Sequence, residues 1–304
     1  SFGFGTFSFA IEVKEPMIYE NRKENSLSLV IPIVEGKQYR VGKVQIEGDD
    51  VFTGDELRKH ISFKKGDIYN RSRMNSDIVK ITEAYAQKGH AFADIIPQTT
   101  INDDKRVTDI KITPKKGRRA FIGRIFIKGN DFTRDKVIRR EVMLLEGSLF
   151  DGNKLKRTRR RIRKLGYFED VKIETKRGSK PDLLDVEIEV KEKPTGAISG
   201  GTGFSNNSGL LLFGEVRENN LFGRGQLLAF RLRRSDLDTT GSLNFMEPRV
   251  FDSNFALTSG IFLANDEFET YERDRSGGNL GFGRYLGESW MANLMYQFEE
   301  NHIF

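Results

Sequence analysis

The sequence contains no cysteine, only three histidines in 304 residues, and no apolar run of the roughly 20 residues that a membrane-spanning helix needs. The lack of cysteine excludes disulfide bonds, thiolate metal sites and a cysteine nucleophile. His60, His90 and His302 lie far apart and do not have the spacing of metal ligands. We therefore predict a protein that is not an enzyme, holds no metal and uses no cofactor.

Lysine is missing from the last third of the chain. Residues 1–193 contain 41 Lys and Arg against 30 Asp and Glu, whereas residues 194–304 contain 9 Arg against 14 acidic residues and no lysine. The last third also holds 15 of the 30 glycines. This change of composition at Lys193 and Pro194 predicts a domain boundary. No signal peptide opens the sequence, so we expect further residues before Ser1.

Two segments of the first part are repeats of each other at an offset of 81 residues: YRVGKVQIEG at 39–48 and AFIGRIFIKG at 120–129. Both alternate apolar and charged residues, which predicts a strand, and a helix start follows each. Thr53 and Glu56 have the spacing of a capping box, and Thr133 has the position of a cap. A longer helix comes next in each repeat, and we expect these helices to end at Gly89 and Gly166.

Two further strands complete each repeat, at residues 93–100 and 108–114 in the first and at residues 169–176 and 184–191 in the second. The repeating unit is therefore β-α-α-β-β, which predicts α+β modules at residues 38–117 and 118–193. Residues 1–37, with strands predicted at 4–12 and 26–34, are interpreted as the C-terminal part of a third module.

Residues 194–304 consist of short alternating segments separated by turn residues. We predict seven strands, at residues 196–204, 210–218, 226–234, 241–247, 255–264, 279–285 and 290–299. The pattern fits either a soluble β-sandwich or an antiparallel transmembrane β-barrel. Aromatic residues near strand ends and loops that alternate in length, with a long polar loop predicted at 266–278, favour the barrel. Seven strands leave two open edges, so we expect an incomplete barrel whose other strands lie beyond Phe304.

Seven short motifs follow one another in a fixed order: IFIKGND at 125–131, IRRE at 138–141, LEG at 145–147, KLGYFEDV at 164–171, VKEKPTG at 190–196, ENNLFGRG at 218–225 and MEP at 246–248. In this order they resemble the BamA-type outer-membrane assembly family, over essentially the whole chain. The resemblance implies that the repeats are POTRA modules in the bacterial periplasm, corresponding to the end of the third module, the fourth and the fifth. It also implies that residues 194–304 are the first seven strands of an outer-membrane barrel.

The resemblance further implies that two strand edges bind unfolded outer-membrane proteins. One is the edge strand of each module, at residues 93–100 and 169–176, represented in the second module by Val171, Lys172, Ile173 and Glu174. The other is the glycine-rich first barrel strand, represented by Ile198, Gly200, Gly201, Gly203 and Phe204. Both have a purely structural alternative, because charged residues protect exposed edges and glycines mark bends or thin packing.

A lipoprotein of the assembly complex is a further partner that the resemblance implies. In the family it docks through an arginine and a glutamate, and the matching positions here are Arg139 and Glu146. The alternative is an ordinary exposed helix charge beside a turn glutamate.

The densest charge run is 154–164, with eight basic residues in eleven. Nucleic-acid binding is one interpretation, and contact with anionic lipid headgroups is another. We favour a solvated helix face around the apolar residues Leu155, Ile162 and Leu165, and we predict no nucleic-acid partner.

The function that the resemblance implies is that of an outer-membrane protein assembly factor. Its partners would be unfolded outer-membrane proteins, assembly-complex lipoproteins and outer-membrane lipid. The alternative is a secretion channel of the same superfamily, which usually has only two POTRA modules.

Overall fold

The computed structural model describes residues 12–13, 15–21, 26–34, 38–206, 209–268, 270–287 and 290–304. The chain divides into two compact units, Ser1–Arg119 and Ala120–Phe304. Within the described ranges, no helix has both the length and the apolar character that crossing a membrane requires.

The first unit begins with two short strand pairs. Strand β1 (Glu12–Val13) pairs with β4 (Ile33–Val34), and β2 (Met17–Asn21) pairs with β3 (Ser26–Val30), both antiparallel. The single strand predicted at residues 26–34 is therefore wrong, because Pro32 separates β3 from β4 and proline has no N–H to donate to a ladder. The strand predicted at residues 4–12 lies outside the described residues, except for Glu12.

The remainder of the first unit is one β-α-α-β-β module, called the first module. Its elements are β5 (Arg40–Ile46), α1 (Gly54–Arg58), α2 (Arg71–Gln87), β6 (Asp94–Asn102) and β7 (Val107–Lys115). The sheet order is β5-β7-β6, with β5 parallel to β7. The predicted capping box is confirmed, since the Glu56 amide donates to the Thr53 hydroxyl and the Thr53 amide donates to the Glu56 carboxylate. The helices pack on the sheet and bury Leu57, Ile81 and Tyr85 against Ile110 and Ile112.

The second unit opens with a module of the same architecture, called the second module. Its elements are β8 (Phe121–Lys128), α3 (Asp135–Arg139), α4 (Gly152–Lys164), β9 (Phe168–Arg177) and β10 (Leu183–Glu192). The sheet order is β8-β10-β9, with β8 parallel to β10, which confirms the predicted repeat. Helix α4 buries Ile162, as its apolar spacing predicts. The cap predicted at Thr133 is wrong, because α3 begins after Arg134, whose side chain makes no capping bond.

Seven strands form the last sheet, and each pairs antiparallel with the next. They are β11 (Gly196–Ser205), β12 (Gly209–Leu221), β13 (Gln226–Arg234), β14 (Asp238–Glu247), β15 (Phe255–Glu267), β16 (Glu272–Leu286) and β17 (Trp290–Ile303). The predicted number of strands is confirmed, but the long polar loop at 266–278 is wrong. The β15–β16 ladder continues to the pair Glu267 and Glu272. Asp266 accepts hydrogen bonds from Arg273 at 2.8 Å and from Arg275 at 2.7 Å. These opposite charges stabilise the ends of the two strands, whereas the polarity of the segment had suggested a loop.

The two faces of this sheet differ in polarity. Residues opposite one another in the ladders share a face, and one such row contains Ile198, Val216, Phe230, Leu243, Ile261 and Phe298. All six side chains are exposed. The other face carries the ion pair of Arg231 with Glu215 at 2.6 Å. Water does not favour so large a continuous apolar surface, whereas the wall of an outer-membrane barrel has lipid on one side and polar groups on the other.

The second module and the seven-stranded sheet meet at a joint formed by residues 132–134, Tyr167 and residues 219–225. Asn220 is buried at its centre. Its amide nitrogen donates to the Thr133 hydroxyl at 2.8 Å, and its amide oxygen accepts from the Gly225 N–H at 2.7 Å. The Tyr167 hydroxyl donates to the Gly225 carbonyl at 3.3 Å. Thr133 therefore binds the sheet instead of capping α3.

Two features hold the loop at residues 132–134 close to the turn at residues 219–225. Gly223 has a φ of +67°, and a Cβ there would lie 2.0 Å from the Phe132 carbonyl oxygen, so only glycine fits. Glu192, at the end of β10, accepts from the Phe132 amide at 2.9 Å and the Thr133 amide at 2.6 Å. Burial alone would raise the pKa of Glu192, but these bonds and one from the Thr133 side chain together hold that pKa below its usual value. The ionised carboxylate thus fixes the loop that binds Asn220.

We expect Asn220→Ala to loosen the joint, because it leaves the Gly225 amide without a partner in a buried site and removes the bond that the Thr133 hydroxyl accepts. The cost should be about 1–3 kcal/mol per unpaired group. Hydrogen exchange of the full-length protein, followed by mass spectrometry, should show faster exchange in peptides covering residues 132–135 and 220–226. The control is Asn244→Ala, because the exposed Asn244 amide makes a long bond of 3.4 Å to Ser242. Equal exchange in both variants would contradict the role given to Asn220.

Candidate functional site

The first candidate site is β9, which lies at the edge of its sheet as the resemblance implied. The side chains of Val171 and Ile173 are buried under the module's helices, whereas Lys172 and Glu174 are exposed. Of the four predicted residues, two therefore belong to the core. What the strand presents to a partner is its backbone and two side chains of opposite charge.

Side chains of the same module already bind part of the β9 backbone. The Val171 amide donates to Asp170 Oδ1 at 2.8 Å, and Arg159 of α4 donates to the Ile173 carbonyl at 3.0 Å. Backbone groups alternate in direction along a strand, so the Val171 amide and the Ile173 carbonyl, two residues apart, point to the same side of β9. Sequence reasoning missed Arg159, because nothing in a run of eight basic residues singles out the one that reaches a strand edge.

The corresponding strand of the first module, β6, is also an edge strand. Pro97 lies in its middle, opposite Ile112 of β7. A proline there is typical of an edge, because it removes an N–H that a second neighbour would otherwise use.

The second candidate site is β11, which is the edge of the seven-stranded sheet. It carries all five predicted residues, and the side chains of Ile198 and Phe204 are 85% and 78% exposed. A Cβ at Gly201 would lie 2.7 Å from the Phe213 ring, so a larger residue there would have to displace that side chain. Gly200 lies opposite Gly214, so this part of the ladder has no side-chain packing on either strand.

Hydrogen bonds hold β11 firmly at its first residues. The Thr195 hydroxyl donates to the Glu218 carboxylate, and the side-chain amide of Asn219 donates to the Thr195 carbonyl at 2.8 Å. The glycine-rich part beyond Ser199 has the β12 ladder and the Phe213 ring as its support. The strand is therefore anchored at the joint and thinly packed further along.

The predicted lipoprotein residues, Arg139 and Glu146, are both exposed and both engaged within the module. Arg139 makes two bonds to Asp135, at 2.7 and 3.1 Å. The Asp135 carboxylate, with a smaller contribution from Glu146, raises the pKa of Arg139. Glu146 accepts from the Ile125 amide at 2.9 Å, where the β8–β10 ladder shifts register. The structure therefore gives Glu146 a role in its own fold.

Comparison with known proteins identifies both halves of this architecture. The POTRA family, described as a surface antigen variable number repeat, matches residues 39–117 and 120–193. The Omp85 superfamily domain matches residues 220–304.

Relatives with both parts are similar along most of the chain. An outer membrane protein assembly factor BamA from Neisseria meningitidis serogroup B is 32% identical over 86% of this chain and 32% of its own length. The BamA of Nitratidesulfovibrio vulgaris is 27% identical over 93% of this chain and 36% of its own length. The chain thus spans about a third of the length of these curated relatives.

A solved structure has the same fold. The crystal structure of BamA from Haemophilus ducreyi lacking POTRA domains 1–3 matches 88% of this chain and 52% of that one, with a TM-score of 0.75 and 21% identity. Repeated β-α-α-β-β modules, the polarity of the two sheet faces and the family matches agree with one another. The chain belongs to the BamA-type family of outer-membrane β-barrel assembly proteins, with its POTRA modules in the periplasm and its seven-stranded sheet in the outer membrane.

Proposed function

We propose that the protein is an outer-membrane protein assembly factor, which receives unfolded β-barrel proteins (clients) in the periplasm and inserts them into the outer membrane. The observation that carries this proposal is the composition of β11, an end strand of the sheet that is rich in glycine and thinly packed against β12. The relatives whose names call them assembly factors support the same function.

An edge of this kind binds a client through its backbone. In hydrocarbon each unpaired amide or carbonyl costs several kcal/mol, so β11 needs a paired strand on its outer side, and a client strand meets that need in place of the strand that closes against β11 in the full-length protein. Main-chain pairing requires no particular side-chain sequence, so one edge serves clients of many sequences. The client's own folding supplies the free energy, and the step needs neither nucleotide nor cofactor.

The composition of β11 suits an exchange of partners. Glycine-rich strands hold their register weakly, and the Gly200–Gly214 pair adds no side-chain contact. The bonds at Thr195 and Asn219 keep the first residues in place while the residues beyond Ser199 change partners. We propose that Ile198, Gly200, Gly201, Gly203 and Phe204 form the templating strand.

Locking β11 should abolish insertion. The lock joins a cysteine at Ser199 to one on the strand that closes against β11 in the full-length protein, and this chain has no native cysteine to interfere. The matched control is Thr202→Cys with Leu212→Cys, which links β11 to the β12 partner that it already has. Client insertion into proteoliposomes should stop in the lock and return on reduction, and it should persist in the control.

Full insertion by the locked protein would contradict strand exchange at β11. Absence of client insertion even without the lock would instead favour the alternative of a secretion channel, in which a partner crosses the lumen and β11 need not separate from its neighbour.

We propose that β9 of the second module is the first receiving edge in the periplasm, through the backbone of Val171 to Glu174. A client strand there must displace the Asp170 and Arg159 side chains from the Val171 amide and the Ile173 carbonyl. Water solvates the displaced charges, so the exchange is reversible, as transfer to a second site requires.

Arg159→Ala should strengthen client capture at β9, because it frees the Ile173 carbonyl without touching the buried face of α4. A bond to a charged group is worth about 1.5–3 kcal/mol, so crosslinking from a photoreactive residue at Lys172 should rise several-fold. Arg157→Ala removes an exposed arginine of the same helix and should leave the yield unchanged. An unchanged or lower yield in Arg159→Ala would count against β9 as a client site.

We further propose that Arg139 and Glu146 dock an assembly-complex lipoprotein. The two residues are exposed on one module, and the Glu146 charge contributes to the raised pKa of Arg139, which supports a common surface. Because Glu146 also holds the Ile125 amide, a test must separate its charge from its hydrogen bond.

Glu146→Lys should reduce co-purification of the lipoprotein with the full-length protein, since it removes an acidic partner and places a like charge near Arg139. Glu146→Gln retains an oxygen for the Ile125 amide and loses only the charge, so it should weaken co-purification with an unaltered melting temperature. Glu189→Lys, at an exposed position of β10, controls for net charge. Retention of the lipoprotein by both Glu146 variants would argue against this docking site.

A further inference from the structure

A pocket of about 300 Å³ lies where the end of α4 meets the turns that follow β14 and β16. Four cations line it: Arg140, Arg161, Lys164 and Arg249. Among the residues that the structure describes, Glu141 is the one acidic residue in the lining, and Tyr167 and Tyr285 contribute their rings. The pocket therefore carries an excess of positive charge. Residues 194–304, which contribute Arg249 to it, are acidic overall.

The acidic groups that the structure describes around the pocket do not neutralise all four cations. Glu141 is paired with Arg161 at 2.8 Å. Arg249 binds the neutral Asn254 side chain at 2.7 Å, and its guanidinium lies 4.4 Å from the centre of the Tyr285 ring. Lys164 has no carboxylate partner among the residues that the structure describes.

Arg140 is the most enclosed of the four cations. Its side chain is 11% exposed, its carboxylate partner Asp252 is 3.8 Å away, and its buried Nε has no hydrogen-bond partner. An unpaired buried donor is costly, and a ligand that brings acceptor oxygens relieves that cost. Phosphate suits the site best, because arginine binds its oxygens through two parallel bonds and lysine adds a point charge.

We propose that this pocket binds the phosphate of an anionic phospholipid headgroup from the periplasmic leaflet of the outer membrane. The pocket lies at the periplasmic ends of the strands, where the apolar sheet face gives way to the POTRA module. Pro248 and Arg249, which line it, open the turn that carries Phe251, and the Phe251 side chain is 98% exposed at a φ of +52°. Exposed aromatic residues at strand ends are typical of the lipid headgroup level.

The site goes beyond the proposed assembly function and does not depend on it, because lipid binding is measured without any client. In this arrangement the headgroup bridges the second module and the sheet turns, through Arg140 and Lys164 on one side and Arg249 on the other. Bound lipid would therefore tie the module to the membrane surface at the joint.

The test measures binding of phosphatidylglycerol to the full-length protein in detergent, with native mass spectrometry as the readout. The pocket variant is Lys164→Gln with Arg249→Gln, which spares Arg140 and the Arg161–Glu141 pair. The matched control is Arg157→Gln with Arg160→Gln, which removes the same charge from exposed positions of α4 outside the pocket. Phosphatidylcholine of equal chain length and inorganic phosphate are the comparison ligands.

We expect phosphatidylglycerol to bind the pocket variant at least about tenfold more weakly and the control within about twofold of the wild type. Phosphatidylcholine should bind the wild type more weakly than phosphatidylglycerol, because its choline is cationic. An equal loss in both variants would overturn the site in favour of unspecific charge attraction. Inorganic phosphate that binds as tightly as phosphatidylglycerol, with the same loss in the pocket variant, would overturn the lipid as its source.

Discussion

A β-sheet in hydrocarbon can leave no backbone amide or carbonyl without a partner, because no water is present to replace one. The inner strands β12 to β16 meet this requirement on both sides, whereas β11 and β17, the two end strands of the described sheet, meet it on one. The edge strand β9 also has backbone groups without a neighbouring strand, but it lies in the periplasm, where water and charged side chains can bind them. Asp170 and Arg159 satisfy two of its groups. The solvent therefore decides which edge is protected by side chains and which one needs another strand.

The apolar face of the sheet also determines what the joint must do. Strand β12 has Val216 in the apolar row and ends at Leu221, so its last residues leave the lipid level and enter the buried polar network around Asn220. On the module side, Thr133 binds Asn220, and Glu192 binds the Thr133 amide. Glu192 ends β10, and the chain continues from there into β11. The joint thus couples the end of β10 to the start of β11. The proposed client edge β9 and the proposed templating strand β11 belong to one compact unit.

The local periodicity of the sequence predicted most of the architecture. Alternation of two residues identified all seven strands of the sheet, and the capping box was predicted from the four residues Thr53 to Glu56 alone. The errors lie where a distant partner decides. Asp266 looks like a loop residue until Arg273 and Arg275 are placed across the ladder. Thr133 looks like a cap until Asn220, 87 positions later, takes its hydroxyl. A single sequence does not contain these pairings.

The charge run of α4 shows the same limit in one element. The helix buries only Thr158 and Ile162, so its other positions do not require a particular polar residue for packing. Sequence reasoning could treat its eight basic residues only as one surface. In the fold, Arg159 reaches the edge of β9, Arg161 pairs with Glu141, and Lys164 lines the pocket at the joint. Arg157 and Arg160 stay exposed. Substituting the whole run would therefore mix three effects, and single substitutions matched within the helix are needed to separate them.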